Sequence, residues 1–220
     1  MGSPKSRTPD SALNRKLADQ KLIRRCVSGD RDGHSQLYDT YSARMFSICL
    51  RYADDYHAAE DLLQDGFVKV FRNIESFRAE GSFEGWLRRI FVNTAIEKHR
   101  RKHHLYPLLE VADSDIELHD ESALNNLAAQ DLMKLINSLS PGYRTVFNLY
   151  AIEGYPHKEI AEQLGISEGT SKSQLARARY ILQKQVAELI SEHNAIGSDS
   201  RIKPNPDDDS GRKAVRAIGE

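Results

Sequence analysis

The stretch from His157 to Val186 constrains the fold most, because it predicts a helix, a tight turn and a second helix. Apolar residues recur at helical spacing in its first part: Ile160, Ala161 and Leu164. Gly165 permits the left-handed backbone conformation that such a turn requires. Ser167 is a typical N-cap, so the second helix is expected to begin at Glu168.

The second helix of this stretch has two chemically different faces. Small and apolar residues recur every three or four positions and are expected to face inward: Ser171, Leu175, Ala178 and Leu182. Polar and basic residues point the other way: Lys172, Ser173, Gln174 and Arg177. This pattern predicts a helix-turn-helix whose second helix enters the major groove of DNA. The alternative is an ordinary helical hairpin with a solvated basic face.

On that outward face, the side-chain types predict different contacts with DNA. Gln174 can pair bidentately with adenine, and Arg177 can pair with guanine or a phosphate. Lys172 lies close to the helix start and is expected to act mainly as a charge.

Charge is distributed unevenly along the chain. The 220 residues carry a net charge of only -1, but acidic and basic residues are segregated, so local charge predicts partners better than the total. Cys26 and Cys49 form no metal-ligand spacing and are expected to be buried thiols in a reducing compartment. No apolar run approaches a membrane span, so we expect a cytoplasmic protein without membrane insertion. Binding to DNA would make it nucleoid-associated. Neither a metal nor another cofactor is predicted.

The segment HAAEDLLQDGFVKVFRNI predicts a helix with a buried apolar stripe. Four polar residues gather near its N-terminal end: Glu60, Asp61, Gln64 and Asp65. Acids at that end complement the helix dipole, which alone would explain them. A metal or nuclease site is a weaker interpretation, because no histidine or further acid completes a ligand set.

The next segment combines a glycine-rich loop with a basic helix that is expected to start near Ser82. The helix carries one strip of bases: Arg88, Arg89, Lys98, Arg100, Arg101 and Lys102. Bases beside aromatic rings suit single-stranded nucleic acid, although a solvated helix face is the alternative. Trp86 is expected in the core. His99 and His103 lack a third ligand for a metal.

Three motifs in order, AAEDLLQDGFVKVF, SFRAEGSFEGWLRRIFVNTAIEKHRR and LSPGYRTVFNLYAIEGYPHKEIAEQLGISEGTSKSQLARAR, resemble an alternative sigma factor of the extracytoplasmic-function class. The resemblance covers roughly Leu17 to Ile190. It implies an all-α, non-enzymatic promoter-recognition subunit of bacterial RNA polymerase that reads the minus-ten and minus-thirty-five elements and helps to melt the promoter.

The resemblance also implies roles for particular residues. The face formed by Glu60, Asp61, Gln64 and Asp65 would bind the polymerase clamp helices. The loop from Asn73 to Gly85 and the following helix would contact the melted minus-ten strand through Asn73, Phe77, Arg78, Ser82, Phe83, Arg88, Arg89, Asn93, Lys98 and Arg101. The recognition helix would read the minus-thirty-five element through Thr170, Lys172, Ser173, Gln174, Arg177 and Arg179. Ser171 and Gln174 replace a valine and an arginine that many members have, which leaves the preferred promoter sequence open.

We therefore expect two small helical domains. The predicted parts are a disordered tail (1–15), a region 2-like domain (16–104), a flexible acidic linker (105–126), a region 4-like domain (127–192) and a polar tail (193–220). By the resemblance, the linker threads through the polymerase near its active-site cleft and the RNA exit path; a solvated spacer is the alternative. The partners implied are the clamp helices and flap of core polymerase, promoter DNA and an anti-sigma factor.

A stand-alone helix-turn-helix regulator is the main rival to this prediction. Such a protein would bind DNA without docking on polymerase, and it leaves the acidic helix and the basic strip of the first domain unexplained. Co-elution with core RNA polymerase separates the two alternatives.

Overall fold

The computed structural model describes residues 9–105 and 129–199, and regular structure in this part is entirely helical. The first domain contains α1 (Pro9–Val27), α2 (Arg31–Tyr52), α3 (Tyr56–Asn73) and α4 (Phe83–Leu105), with a 3-10 turn at Ile74–Ser76. The second contains α5 (Ala129–Ser138), α6 (Pro141–Phe147), α7 (His157–Leu164) and α8 (Glu168–Asp199), with a π-helical turn at Asn148–Ile152. The predicted all-α fold with two helical domains is confirmed.

Side-chain caps explain where several helices begin. Asp30 accepts a hydrogen bond from the backbone N of Asp32 at 3.0 Å, and Asp55 accepts one from Ala58 at 2.7 Å. The hydroxyl of Ser167 accepts a bond from the backbone N of Thr170 at 2.9 Å. These acceptors satisfy amide groups that have no partner inside the helix. The predicted cap at Ser167 is therefore confirmed.

Helices α1 and α8 extend beyond the boundaries that the sequence predicted. Helix α1 begins at Pro9, although the pattern placed its start near Leu17. Leu13 and Leu17 are exposed, so the start of α1 has no buried stripe that apolar periodicity could detect. Helix α8 continues to Asp199, past the expected end of its domain at residue 192. The predicted linker beyond residue 105 and the tail beyond 199 lie outside the described residues.

The core of the first domain depends on a close crossing of α3 and α4. Gly66 of α3 lies against the ring of Phe91 in α4, and a Cβ at this position would overlap the ring. Both cysteines of α1 and α2 are buried, as predicted. Burial raises the pKa of Cys49 to about 12 and also raises the pKa of Cys26, so both thiols stay protonated.

In the second domain, the long helix α8 packs on α6 and α7. Buried apolar residues come from each of these elements: Val146, Leu149, Ile160, Leu175, Leu182 and Val186. Within the part of the chain that the structure describes, no helix is long and apolar enough to cross a membrane.

Candidate polymerase and nucleic-acid interface

The inner face of α8 matches the prediction from the sequence. Leu175, Ala178 and Leu182 are all buried against the rest of the second domain. Ser171 is also fully buried, and its hydroxyl shares a 2.9 Å hydrogen bond with Nδ1 of His157 at the start of α7. Burial, followed by the charge of Lys172, lowers the pKa of His157. A neutral histidine therefore joins the two helices of the helix-turn-helix.

Helix geometry sorts the six residues of α8 that were predicted to read DNA. At 3.6 residues per turn, Ser173 and Arg177 lie opposite the buried face. Thr170 and Gln174 fall on one flank of this outward surface, and Lys172 and Arg179 fall on the other. Lys172 and Ser173 are exposed, while the other four are half-buried. The structure thus presents a polar surface that is one to two residues wide along the first three turns.

Several of these side chains have local partners. Lys172 Nζ lies 2.8 Å from Glu168 Oε1, and this hydrogen bond lowers the pKa of Glu168. The guanidinium of Arg177 lies 5.5 Å from the ring centre of Tyr180, and that of Arg179 lies 5.7 Å from Tyr150. Such contacts reduce the rotamer freedom that each arginine would lose on binding.

The four polar residues of α3 form one acidic patch, defined as Glu60, Asp61, Gln64 and Asp65. Gln64 and Asp65 are exposed and Glu60 is half-exposed. Asp61 Oδ2 lies 3.8 Å from Lys98 Nζ in α4, so part of the patch is compensated within the domain. Two apolar side chains beside the patch are also exposed: Tyr56 at 59% and Val68 at 47%. An acidic surface with apolar neighbours suits a basic protein partner.

An aromatic cluster supports the loop between α3 and α4. The rings of Phe83 and Trp86 stack with centres 5.6 Å apart, and Phe77 packs edge-on against Phe83 at 5.2 Å. Phe83 is only 2% exposed, so it holds the loop rather than presenting its own ring to a base. Ala79 has a φ of 58°, an unusual value for a residue with a side chain.

Beside this loop lies a cavity of about 560 Å³. Loop residues Phe77, Ala79 and Ser82 line one side, and Gln20 and Ile23 of α1 line the other. Asn73 and Arg78, also predicted to contact DNA, are exposed at the loop's beginning and middle. The side chain of Asn73 donates to the carbonyl of Lys69 at 2.8 Å. The space is large enough for an unstacked base, and two rings of the cluster, Phe77 and Phe83, line it.

The basic strip of α4 does not form one continuous surface. Arg89, Asn93, Arg100 and Arg101 are exposed on one side of the helix. Lys98 turns toward Asp61 in α3, and Arg88 turns toward the second domain. Four of the predicted residues thus share a solvent-facing side, and two are engaged elsewhere. The side chains of Lys102 and His103 lie outside the described residues.

A polar boundary between the two domains is the feature that the sequence did not predict. Glu153 follows the π-helical turn of the second domain and pairs with both Arg88 and Arg51 of the first. Arg144 of α6 pairs with Asp54 at 2.5 Å, and Asn148 donates to the carbonyl of Arg51 at 2.7 Å. These pairs are separated by 65 to 102 residues, so no local pattern marks them.

A helix-turn-helix with a polar outer face, a loop beside a cavity and an acidic patch are the features expected of a two-domain transcription factor. The family model described as Sigma-70 region 2 matches residues 37–104, and that described as Sigma-70, region 4 matches residues 129–182. The chain belongs to the extracytoplasmic-function (ECF) sigma factors of the sigma-70 family. It is therefore a promoter-recognition subunit that binds bacterial RNA polymerase, and sigma factors are initiation factors rather than enzymes.

Similar proteins cover most of the chain. It is 31% identical over 182 residues to the ECF RNA polymerase sigma factor SigW of Bacillus subtilis (strain 168), covering 77% of this chain and 97% of the relative. It is 28% identical over 186 residues to the ECF RNA polymerase sigma-E factor of Haemophilus influenzae, covering 79% and 98%. A solved structure of CnrH in complex with the cytosolic domain of CnrY covers 78% of this chain and 98% of that chain, at 22% identity and a TM-score of 0.42.

A stand-alone regulator is not favoured, because the region 2 match includes the acidic patch of α3 and the basic strip of α4.

Proposed function

We propose that this sigma factor divides promoter recognition among three separate surfaces. The acidic patch of α3 docks on the polymerase clamp helices, the loop and α4 hold the melted minus-ten strand, and α8 reads the minus-thirty-five element. The observation that carries this proposal is the opposite charge of two faces in one domain. Acids face outward near the start of α3, while α4 carries the exposed Arg89, Arg100 and Arg101.

The α4 surface is suited to a single strand. Arg89, Arg100 and Arg101 supply charge for the phosphates, and Asn93 adds a neutral hydrogen-bonding group between them. The adjacent cavity offers space for one base outside the stack, and Phe77 and Phe83 are the aromatic residues that line it. Nucleotide unstacking costs a few kcal/mol per step, so a preformed pocket would return part of that free energy.

The α8 surface is suited to the major groove. Ser173 and Arg177 occupy its centre, where base edges are nearest, and Gln174 flanks them. Lys172 and Arg179 on the other flank are placed for phosphates. Flap contacts by this domain and an anti-sigma partner stay predictions from the resemblance, as do a cytoplasmic, nucleoid-associated location and the domain limits given above.

One experiment tests the division of work by measuring two properties of each variant. Co-elution with core RNA polymerase reports docking, and run-off transcription from a promoter reports recognition. The double variant Asp61→Lys, Asp65→Lys is expected to lose most core binding, since it reverses the patch. Asp39→Lys, an exposed acid on α2, serves as the matched control and should bind normally.

The variant Arg177→Ala is expected to give the opposite result. It should co-elute with core normally but lose about 10-fold to 100-fold in promoter-dependent transcription, because one base contact is worth about 1–3 kcal/mol. If the wild-type chain fails to co-elute with core, the proposed function is wrong. If the Asp61 and Asp65 reversal leaves co-elution unchanged, the docking assignment is wrong.

A further inference from the structure

Glu153 occupies an unusual position for an acidic residue. Its side chain is only 5% exposed, although it lies between the two domains and outside either apolar core. Arg88 Nε donates to Glu153 Oε2 at 2.5 Å, and Arg51 Nη2 donates to Oε1 at 3.4 Å. Arg88 Nη2 also lies 3.4 Å from the carbonyl oxygen of Ile152. One carboxylate of the second domain therefore pairs with two guanidinium groups of the first and leaves a net positive charge on the group of three.

The same two arginines belong to a basic groove on the first domain. This groove has a volume of about 660 Å³, lies between α1, α2 and α4, and is lined by four arginines and two acids: Arg15, Arg44, Arg51, Arg88, Asp19 and Glu84. Glu84 pairs with Arg44 at 2.9 Å and lies 3.9 Å from Arg15. Guanidinium groups are good partners for the phosphates of a nucleic-acid strand. Glu153 thus lies at a position where a phosphate would make the same bonds.

The rest of the domain boundary is polar and incompletely paired. Four buried polar atoms near it have no hydrogen-bond partner within the described part of the chain: Arg51 Nε, Tyr52 OH, Arg144 Nε and Asn148 Oδ1. Burial, with Glu153 as a further cause, raises the pKa of Tyr52, which keeps its hydroxyl protonated. Buried groups without partners oppose closure, so the boundary gains little from staying shut.

We propose that Glu153 is a latch that closes the free protein over its own basic groove, and that strand phosphates displace it. In the closed form, Arg51 and Arg88 are occupied and the second domain covers one end of the groove. In the open form, both arginines bind phosphates. This inference rests on the proposed strand-binding function of the first domain, and it adds a second binding surface, the groove of Arg51 and Arg88, to the exposed side of α4 described above.

Binding of the intact free protein to DNA tests the competition. The probe is a fluorescently labelled single-stranded DNA of mixed sequence, and fluorescence anisotropy gives the affinity. Glu153→Gln is expected to bind about tenfold more tightly, in the usual range of coupling between two sites. Glu162→Gln removes one exposed acid from the same domain and is the matched control for overall charge. It should change the affinity by less than about twofold.

Small-angle scattering of the free protein tests closure independently of DNA. Glu153→Arg should enlarge the radius of gyration, and the charge-exchanged double variant Glu153→Arg, Arg88→Glu should reduce it again. Circular dichroism checks that each variant keeps its helical content. A loss of helix in Glu153→Arg would leave Glu153→Gln, which changes no volume, as the deciding variant.

Two results would overturn the latch. One is an unchanged affinity of Glu153→Gln for single-stranded DNA, and the other is an unchanged radius of gyration in Glu153→Arg. Promoter-dependent transcription by wild-type holoenzyme is measured in parallel. If transcription is normal but the affinity of Glu153→Gln or the radius of gyration of Glu153→Arg is unchanged, only the latch is wrong. If transcription itself fails, the proposed function is wrong.

Discussion

The α7–α8 junction and the boundary between the two domains both join parts of the chain, but they use different chemistry. The junction buries apolar side chains of α8, and its buried Ser171 hydroxyl is hydrogen-bonded to the half-buried His157. The boundary is made mainly of ion pairs, and several of its buried polar atoms have no partner among the described residues. Apolar side chains exclude water from the junction, whereas charged side chains take the place of water at the boundary.

This difference predicts which contact is permanent. Apolar burial stabilises by about 25 cal/mol per Å², and nothing in water competes for that contact. A buried ion pair loses about as much hydration as it gains in attraction, and water or phosphate can replace either partner. The recognition helix should therefore keep its position within its domain while the domains separate.

The largest expected loss of stability comes from shortening a buried side chain of α8. Leu182→Ala removes a fully buried side chain, and the free energy of unfolding of the second domain should fall by about 2–5 kcal/mol. Chemical denaturation followed by circular dichroism measures this change. Glu153→Gln is the comparison at the boundary and should cost less than Leu182→Ala, because freed arginines can reach solvent when the domains open. Equal costs would remove the distinction between the two contacts.

A smaller effect is expected from the backbone of the turn. Gly165 has a φ of 71°, and any other residue there has a Cβ in a disfavoured conformation. Gly165→Ala should destabilise the second domain by about 1–2 kcal/mol. The control is Gly169→Ala in the first turn of α8, where a Cβ would make only an ordinary contact, 3.6 Å from Ser167 Oγ. This control should be neutral or stabilising. A similar loss in both variants would show that the turn conformation is not what fixes the junction.

The smallest expected effect is on how the stability of the second domain depends on pH. The pKa of His157 lies below its ordinary value of 6.5 in the folded protein, so the unfolded chain binds a proton first as the pH falls. Stability from this group is present above about pH 6.5 and is lost as the pH drops toward the folded pKa. The melting temperature of the second domain should thus fall less steeply with acid in His157→Gln than in wild type.

The control for this pH effect is His57→Gln, since His57 has an exposed side chain in the other domain. Its melting curve should keep the wild-type slope with pH. A wild-type slope in His157→Gln as well would mean that the His157 contact with Ser171 does not depend on protonation.

Apolar periodicity predicted most of the fold but little of the boundary. The buried face of α8 and the cap at Ser167 depend on residues within a few positions of each other, so the sequence alone defined them. The pairing of Arg88 with Glu153 depends on how 65 intervening residues fold, and nothing near either residue indicates the other. The π-helical turn at Asn148–Ile152 was also missed, because its residues fit an ordinary helical pattern.

The candidate site was predicted with the same limits. Residue types and helix positions located the acidic patch and the outward face of α8, but they could not show which side chains already have partners. Arg88 and Lys98 belonged to one basic strip by sequence, yet Arg88 pairs with Glu153 of the second domain and Lys98 lies near Asp61 of α3. Phe83 fitted a base-contacting loop by composition, but its burial depends on the packing of Phe77 and Trp86.

The close crossing of α3 and α4 at Gly66 has a consequence for where a transcript begins. Under the proposed docking, α3 is fixed to the polymerase, and α4 is held against it with no room for even a methyl group between Gly66 and the Phe91 ring. The two helices would then hold the captured strand at a fixed distance from the active centre of the polymerase. A side chain at position 66 would push α3 and α4 apart and increase this distance. Transcription start sites would therefore shift along the template, in addition to any fall in the amount of transcript.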